Sequence, residues 1–215
     1  LEDPKRKRTS EFLRANEVKN IVSQVDYLLD IHSMQKPCVP LMMAGMLNKG
    51  IDLACDVGMR MPTISDSGHN EGMRMRDYLG FSNIKSQKNA LLVECGQHWA
   101  KSSEIVAIET MIRFLRTTSI MDKNFADDFI YHNQTLDFQN DVYKVGKIIT
   151  IKSENFKFDQ DWQGFETLKK GVLIGKDDQE DIRAPYKETT LIMPSKRLFP
   201  GKTAVRLAYK LSDYN

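Results

Sequence analysis

Two residues combine reactive side chains with informative positions: His32 and Glu94. His32 closes the run Tyr27-Leu28-Leu29-Asp30-Ile31-His32, read as a buried strand. A neutral imidazole is a common metal ligand, so the end of that strand is a candidate metal position; a structural histidine is the competing reading. Asp30 lies two residues back and has the same parity along the strand. Its carboxylate can orient an imidazole from behind, or pair with a buried cation. Glu94 lies near the end of Ala90-Leu91-Leu92-Val93-Glu94-Cys95-Gly96, where every neighbour is apolar or small. A carboxylate buried there without a partner either carries a large desolvation cost or holds its proton to higher pH. A raised pKa suits a general base at neutral pH. An ion pair at the strand end is the alternative. Arg74 and Arg76 follow with Tyr78 in a polar stretch. A guanidinium fork matches a carboxylate, whereas arginines on a solvated loop need no such role.

Other constellations are weaker. Cys95 and His98 offer a thiol and a base, but a hydrolytic Cys–His pair is spatial rather than sequential. His69 and Glu71 form the H-x-E that opens a zinc-deaminase signature, and no P-C-x-x-C follows. Ser65 lacks the G-x-S-x-G elbow, and neither a P-loop nor G-x-G-x-x-G occurs. His132 lies in a polar stretch and reads as a surface residue.

The elements that must position these residues follow from periodicity. Thr9-Ser10-Glu11 reads as a helix start, and Phe12, Ala15, Val18, Ile21, Val22 and Val25 continue at helical spacing. The strand ending at His32 comes next. Residues 33–50 read as irregular because of Pro37 and Pro40, and Ile51 to Val57 fits either a helix end or a strand. Residues 62–83 read as a long loop with a short helix at Asn70–Tyr78, and long loops inside compact domains are often functional. After the strand at 90–96, Ile105, Ile108, Met111, Ile112 and Leu115 predict a helix. This order argues for an α/β layer structure with a largely parallel sheet, whose sites form at the carboxyl ends of strands. Beyond Asp127, Val142–Ile151, Lys169–Ile174 and Thr189–Met193 read as short strands, and Pro200-Gly201 as a turn. The expected organisation is an α/β domain over residues 1–126 and a small β-rich domain over 127–215.

Composition excludes several classes. In 215 residues, 41% hydrophobic content is enough for a real core, so wholesale disorder is excluded. No apolar run approaches the roughly 20 residues of a membrane helix. The net charge of +2 splits almost evenly, with 17 basic and 15 acidic residues up to 126 and 14 of each thereafter, which gives no basic face for nucleic acid. The cluster Lys5-Arg6-Lys7-Arg8 reads as a solvated approach segment. Three cysteines without C-x-x-C spacing suit free thiols in a reducing cytoplasm, and the opening shows no secretory pattern.

The motifs in order show a resemblance. VDYLLDIHSM resembles the third-ligand motif of the succinylglutamate desuccinylase/aspartoacylase family, zinc-dependent relatives of the carboxypeptidases. ALLVECGQHW is similar to the strand that carries that family's catalytic glutamate, and GHNEGMRMRDYLGF to the loop between them. APYKETTLIMPSKRLFPGKTAVRLAYKL resembles the closing section of its C-terminal β domain. The resemblance implies a carboxypeptidase-like mixed sheet with flanking helices, followed by a small β-rich domain that helps enclose the substrate. It implies Zn2+ as cofactor, His32 as a zinc ligand and Glu94 as the general base and acid acting on zinc-bound water. The implied reaction is hydrolysis of a non-peptide amide in an N-acyl amino acid or related small molecule. Arg74, Arg76 and Tyr186 are the expected substrate contacts, and a homo-oligomer is left open.

The sequence departs from the family at one point. The family's first two ligands come from an H-x-x-E motif upstream of the third, and no H-x-x-E occurs in these 215 residues. Its N-x-x-R motif is likewise missing from the 31 residues before His32. The chain, which starts at Leu1, is therefore expected to begin inside the family's domain and to be inactive alone. A non-catalytic remnant of the same fold and a zinc metallocarboxypeptidase are the competing readings, with a Cys95-based hydrolase as a third.

Overall fold

The computed structural model describes residues 9–68, 74–132 and 140–212. Its first helix, α1 (Ser10–Gln24), starts where Thr9 Oγ1 accepts a hydrogen bond from the Phe12 amide at 3.2 Å. This is the expected cap, because helix N-termini leave amides without internal partners.

The chain then enters β1 (Tyr27–Met34), β2 (Leu41–Ala44), α2 (Asn48–Val57) and β3 (Thr63–Ser65). Two short 3-10 turns precede β4 (Asn89–Gln97), α3 (Lys101–Thr117) and α4 (Asp127–His132). The remaining strands are β5 (Val142–Thr150), β6 (Lys157–Phe158), β7 (Thr167–Lys169) and β8 (Leu173–Asp177). They are followed by β9 (Glu180–Arg183), β10 (Glu188–Ile192) and β11 (Thr203–Lys210).

Eight strands form one sheet in the order β1-β4-β2-β3-β5-β11-β10-β7, and β6-β8-β9 form a smaller one. The α/β class is as expected, and the sheet is mixed, as the family resemblance implied, whereas the order of elements alone argued for a largely parallel one. β1–β4, β2–β3 and β3–β5 are parallel, and the other four neighbouring pairs of the large sheet are antiparallel. The expected boundary at 126/127 does not interrupt this sheet, because β5 pairs with β3 on one side and β11 on the other.

β2 and β3 fall where irregular chain and a long loop were expected. All seven of their residues are buried, so neither alternates between polar and apolar positions. The segment from Ile51 is helix. The expected helix at 70–78 is a 3-10 turn over Met75–Asp77, and residues 69–73, which include His69 and Glu71, lie outside the described residues. The strand expected over 169–174 is divided between β7 and β8 by a turn at Gly171.

The two faces of the large sheet carry different cores. Leu91, Val93 and Cys95 pack with Met42, Val106 and Phe114 beneath α2 and α3. Leu92 packs on the opposite face with Leu41, Met43 and Ile64. Strand parity puts Glu94 on the Leu92 face, away from the helices. In the β-rich half, Trp162 donates its indole N–H to the Ile174 carbonyl at 2.8 Å and fills the core between the two sheets.

Candidate active site

The parallel register of β1 and β4 pairs His32 directly with Glu94. Residues 62 positions apart therefore become immediate neighbours at the carboxyl ends of adjacent parallel strands. On its other side Glu94 faces Leu41 of β2. β1 runs on to Met34 and β4 to Gln97, so His32 does not close its strand; both residues stand near the carboxyl ends, and the sheet adds that they are adjacent.

His32 is half-exposed, and its Nε2 lies 2.9 Å from Asp30 Oδ1. The shared strand parity of Asp30 and His32 produces this contact. The hydrogen bond to Asp30 holds the His32 pKa above its ordinary value; burial opposes it, and Asp30 and Glu94 add attraction for the proton. His32 opens on a cavity of about 520 Å³ beside α3.

Glu94 is 7% exposed, and its Oε2 has no hydrogen-bond partner. Burial raises its pKa above the ordinary carboxylate value; the charges of His32, Arg74 and Arg206 counteract this, and Asp30 reinforces it. A carboxyl group in this setting accepts a proton more readily than a solvated one. Glu94 lines a cleft of about 610 Å³ between the edge of the helical half and the β-rich half. Lys36 and Cys38 form one wall of that cleft, and Trp162, Arg197 and Phe199 form the other.

The structure separates the two loop arginines. Arg74 sits near Glu94, and its Nη1 donates to Met43 Sδ at 2.8 Å. Arg76 is fully enclosed and donates through Nη2 to Asp66, which is itself buried. Tyr186 lines neither the Glu94 cleft nor the His32 cavity. It packs edge-to-face on Tyr209, ring centroids 5.0 Å apart, and lies over Gly146, where an added Cβ would collide with its hydroxyl. Tyr186, expected at the substrate site, thus packs on the β-rich half and lines neither cavity.

One cleft residue escaped the sequence reading. Arg206, 4% exposed on β11, lines the cleft with Glu94, and its Nε donates to Asp66 Oδ2 at 3.2 Å. The signal was available: a charged residue inside the apolar run Ala204-Val205-Arg206-Leu207-Ala208 is the same anomaly that singled out Glu94.

Cys95 is buried away from solvent, a poor setting for a nucleophilic thiol. Burial, helped by the Glu94 charge, pushes its thiol up to about 12, so the reactive thiolate is scarce at neutral pH. His98 bonds instead to Ser33 Oγ through Nδ1 at 2.7 Å.

Among the described residues, no group of three His, Cys, Asp or Glu side chains is placed to hold a metal ion. His32 offers one imidazole, with Nε2 engaged by Asp30. These residues do not fit a three-ligand zinc site.

The fold is that of the succinylglutamate desuccinylase/aspartoacylase structures. Succinylglutamate desuccinylase from Vibrio parahaemolyticus matches 98% of the chain with a TM-score of 0.69 and 13% identity. The Vibrio cholerae succinylglutamate desuccinylase matches 98% at 0.68 and 14%. The product-bound ectoine utilization protein EutE from Ruegeria pomeroyi matches 96% at 0.58 and 15%. The chain spans 64%, 63% and 64% of these three structures, just under two thirds of each. No protein-family profile and no curated protein matches the chain.

Proposed function

We propose that this chain carries the proton-transfer half of an amidohydrolase site for N-acyl amino acids or related small molecules, with Glu94 as the general base and acid. The observation that carries this reading is the pairing of His32 with Glu94 across β1 and β4, with the Glu94 Oε2 buried and unpartnered at the cleft. Glu94 would take a proton from the attacking water and return it to the leaving nitrogen. His32, oriented by Asp30, would present a nitrogen at the same strand ends.

Arg74 and Arg206 place positive charge around Glu94 and the cleft, which suits a substrate bearing a carboxylate. Zinc, if the activity uses it, needs donors beyond the described residues. Turnover therefore requires polypeptide beyond them, and these residues alone are proposed to be inactive. The reducing cytoplasm suggested by the free thiols is the proposed compartment, and no helix among the described residues is long and apolar enough to cross a membrane.

The test is an assay of the complete reading frame that encodes these residues. N-succinyl and N-acetyl amino acids are compared with peptides bearing a free C-terminus. Hydrolysis of the N-acyl substrates, reduced about 100-fold or more by Glu94→Gln, supports the reading. Preference for peptides favours a carboxypeptidase. Unchanged turnover in Glu94→Gln removes Glu94 from the chemistry.

A further inference from the structure

A third cavity lies at the other end of the sheet. β2 and β3 run antiparallel to β4, so their carboxyl ends point away from Glu94. β2, α2 and β3 form a β–α–β unit, and in such units ligands gather where the first strand's end meets the helix N-terminus. A cavity of about 310 Å³ occupies that place. Its wall includes Gly45 and Leu47 from the β2–α2 turn, Gly68 after β3, and Arg76 and Asp77 from the covering 3-10 turn.

Three observations point to an anion there. First, α2 begins without a side-chain cap and has no acidic residue in its first turn. The Asn48 and Lys49 amides and the helix dipole therefore have no capping side chain, whereas the Gly50 amide already donates to the Leu47 carbonyl at 3.1 Å. Second, Arg76 is 2% exposed, yet its Nε and Nη1 have no hydrogen-bond partner. Only Nη2 is used, on Asp66 and in an ion pair with Asp77 Oδ2 at 3.7 Å, and buried guanidinium N–H groups are rarely left idle. Third, the backbone is kept thin beside that guanidinium. A Cβ on Gly45 would stand 3.8 Å from Arg76 Nη1 and 3.3 Å from Asp77 Oδ1.

Lys49, in the same first turn, does not supply the missing charge. Its Nζ donates to the carbonyls of Gly80, Asn83, Ser86 and Lys88, at 2.6–3.2 Å. Asp77 adds an acceptor on the same wall, its Oδ2 standing 3.2 Å from where a Gly68 Cβ would lie.

We propose that this cavity binds a small oxyanion bearing an adjoining hydrogen-bond donor. The oxyanion sits between Arg76 and the start of α2, and the donor faces Asp77. A hydrogen phosphate and an amino acid both have this chemistry. The site is independent of the Glu94 cleft and does not rest on the function proposed above.

The 215-residue chain, labelled with 15N, is titrated with sodium phosphate and separately with glycine, at constant ionic strength set by sodium chloride. The expected result is a saturable shift of the Arg76 Nε–Hε signal and of the Asn48 and Lys49 amides with one of the two. Whichever ligand acts identifies the source. Leu47→Asp places a carboxylate at the helix cap and should abolish the shifts while keeping the fold. Arg76→Lys keeps the charge beside Asp66 but loses the Nε and Nη1 donors, and should weaken binding at least tenfold. It serves as the test if Leu47→Asp does not fold. No saturable shift with either ligand overturns the proposal, as does unchanged binding in a folded variant.

Discussion

Replacing Glu94 by Gln should make the protein more stable at neutral pH. Glu94 is 7% exposed, one carboxylate oxygen has no partner, and burial raises its pKa. The folded chain thus holds this proton to higher pH than the unfolded chain does. The stability the group contributes is full below the unfolded value, near 4.3. It falls as pH rises through the folded value, at about 1.4 kcal/mol for each unit between the two. Gln keeps the shape and removes the charge, so it escapes this loss. Against this stands the lost attraction to His32, Arg74 and Arg206, which burial outweighs in the direction of the shift. A gain of about 1–3 kcal/mol at pH 7 is expected from relieving an unsatisfied buried charge. For a chain of this size that is roughly 2–4 °C in Tm per kcal/mol. Urea denaturation of both proteins from pH 4 to 8 measures the effect. The curves should converge toward pH 4 and separate as pH rises. A Gln variant less stable than wild type at pH 7, or a pH-independent difference, would refute the account of Glu94 as a strained carboxylate. It would then read as a structural ion-pair member.

Three further outcomes are expected. Asp66→Asn leaves Arg76 and Arg206 buried without their shared carboxylate, and should cost about 3–5 kcal/mol in chemical denaturation. Asp30→Asn removes the main cause of the raised His32 pKa, so the imidazole should titrate at lower pH than in wild type when followed by NMR. Gly146→Ala forces a methyl against the Tyr186 hydroxyl and should destabilise by about 1–3 kcal/mol, whereas Gly146→Ala with Tyr186→Phe should recover part of that loss.

The local signals were legible wherever a residue's own neighbours constrain it. Thr9 caps α1 because a hydroxyl followed by helical spacing has few other uses. Asp30 meets His32 because two residues on one strand at the same parity share a face. Glu94 was conspicuous because it interrupts an apolar strand. β2 was not legible, since Leu41-Met42-Met43-Ala44 is buried on both faces and has no alternation to read. Arg74 and Arg76 were indistinguishable as a pair, being two residues apart in the same polar stretch. One lies beside Met43 near Glu94, and the other is locked on Asp66.

The sequence by itself determined which residues carry unusual chemistry, because charge within an apolar run is a property of composition and order. Only the tertiary structure decided which of them meet. The β1–β4 register makes His32 and Glu94 neighbours, a relation between strands that no local pattern encodes. Asp66, Arg76 and Arg206 converge from a strand end, a 3-10 turn and β11, up to 140 positions apart. Tyr186 was placed by packing, where Gly146 leaves room for its ring, and not by its chemistry.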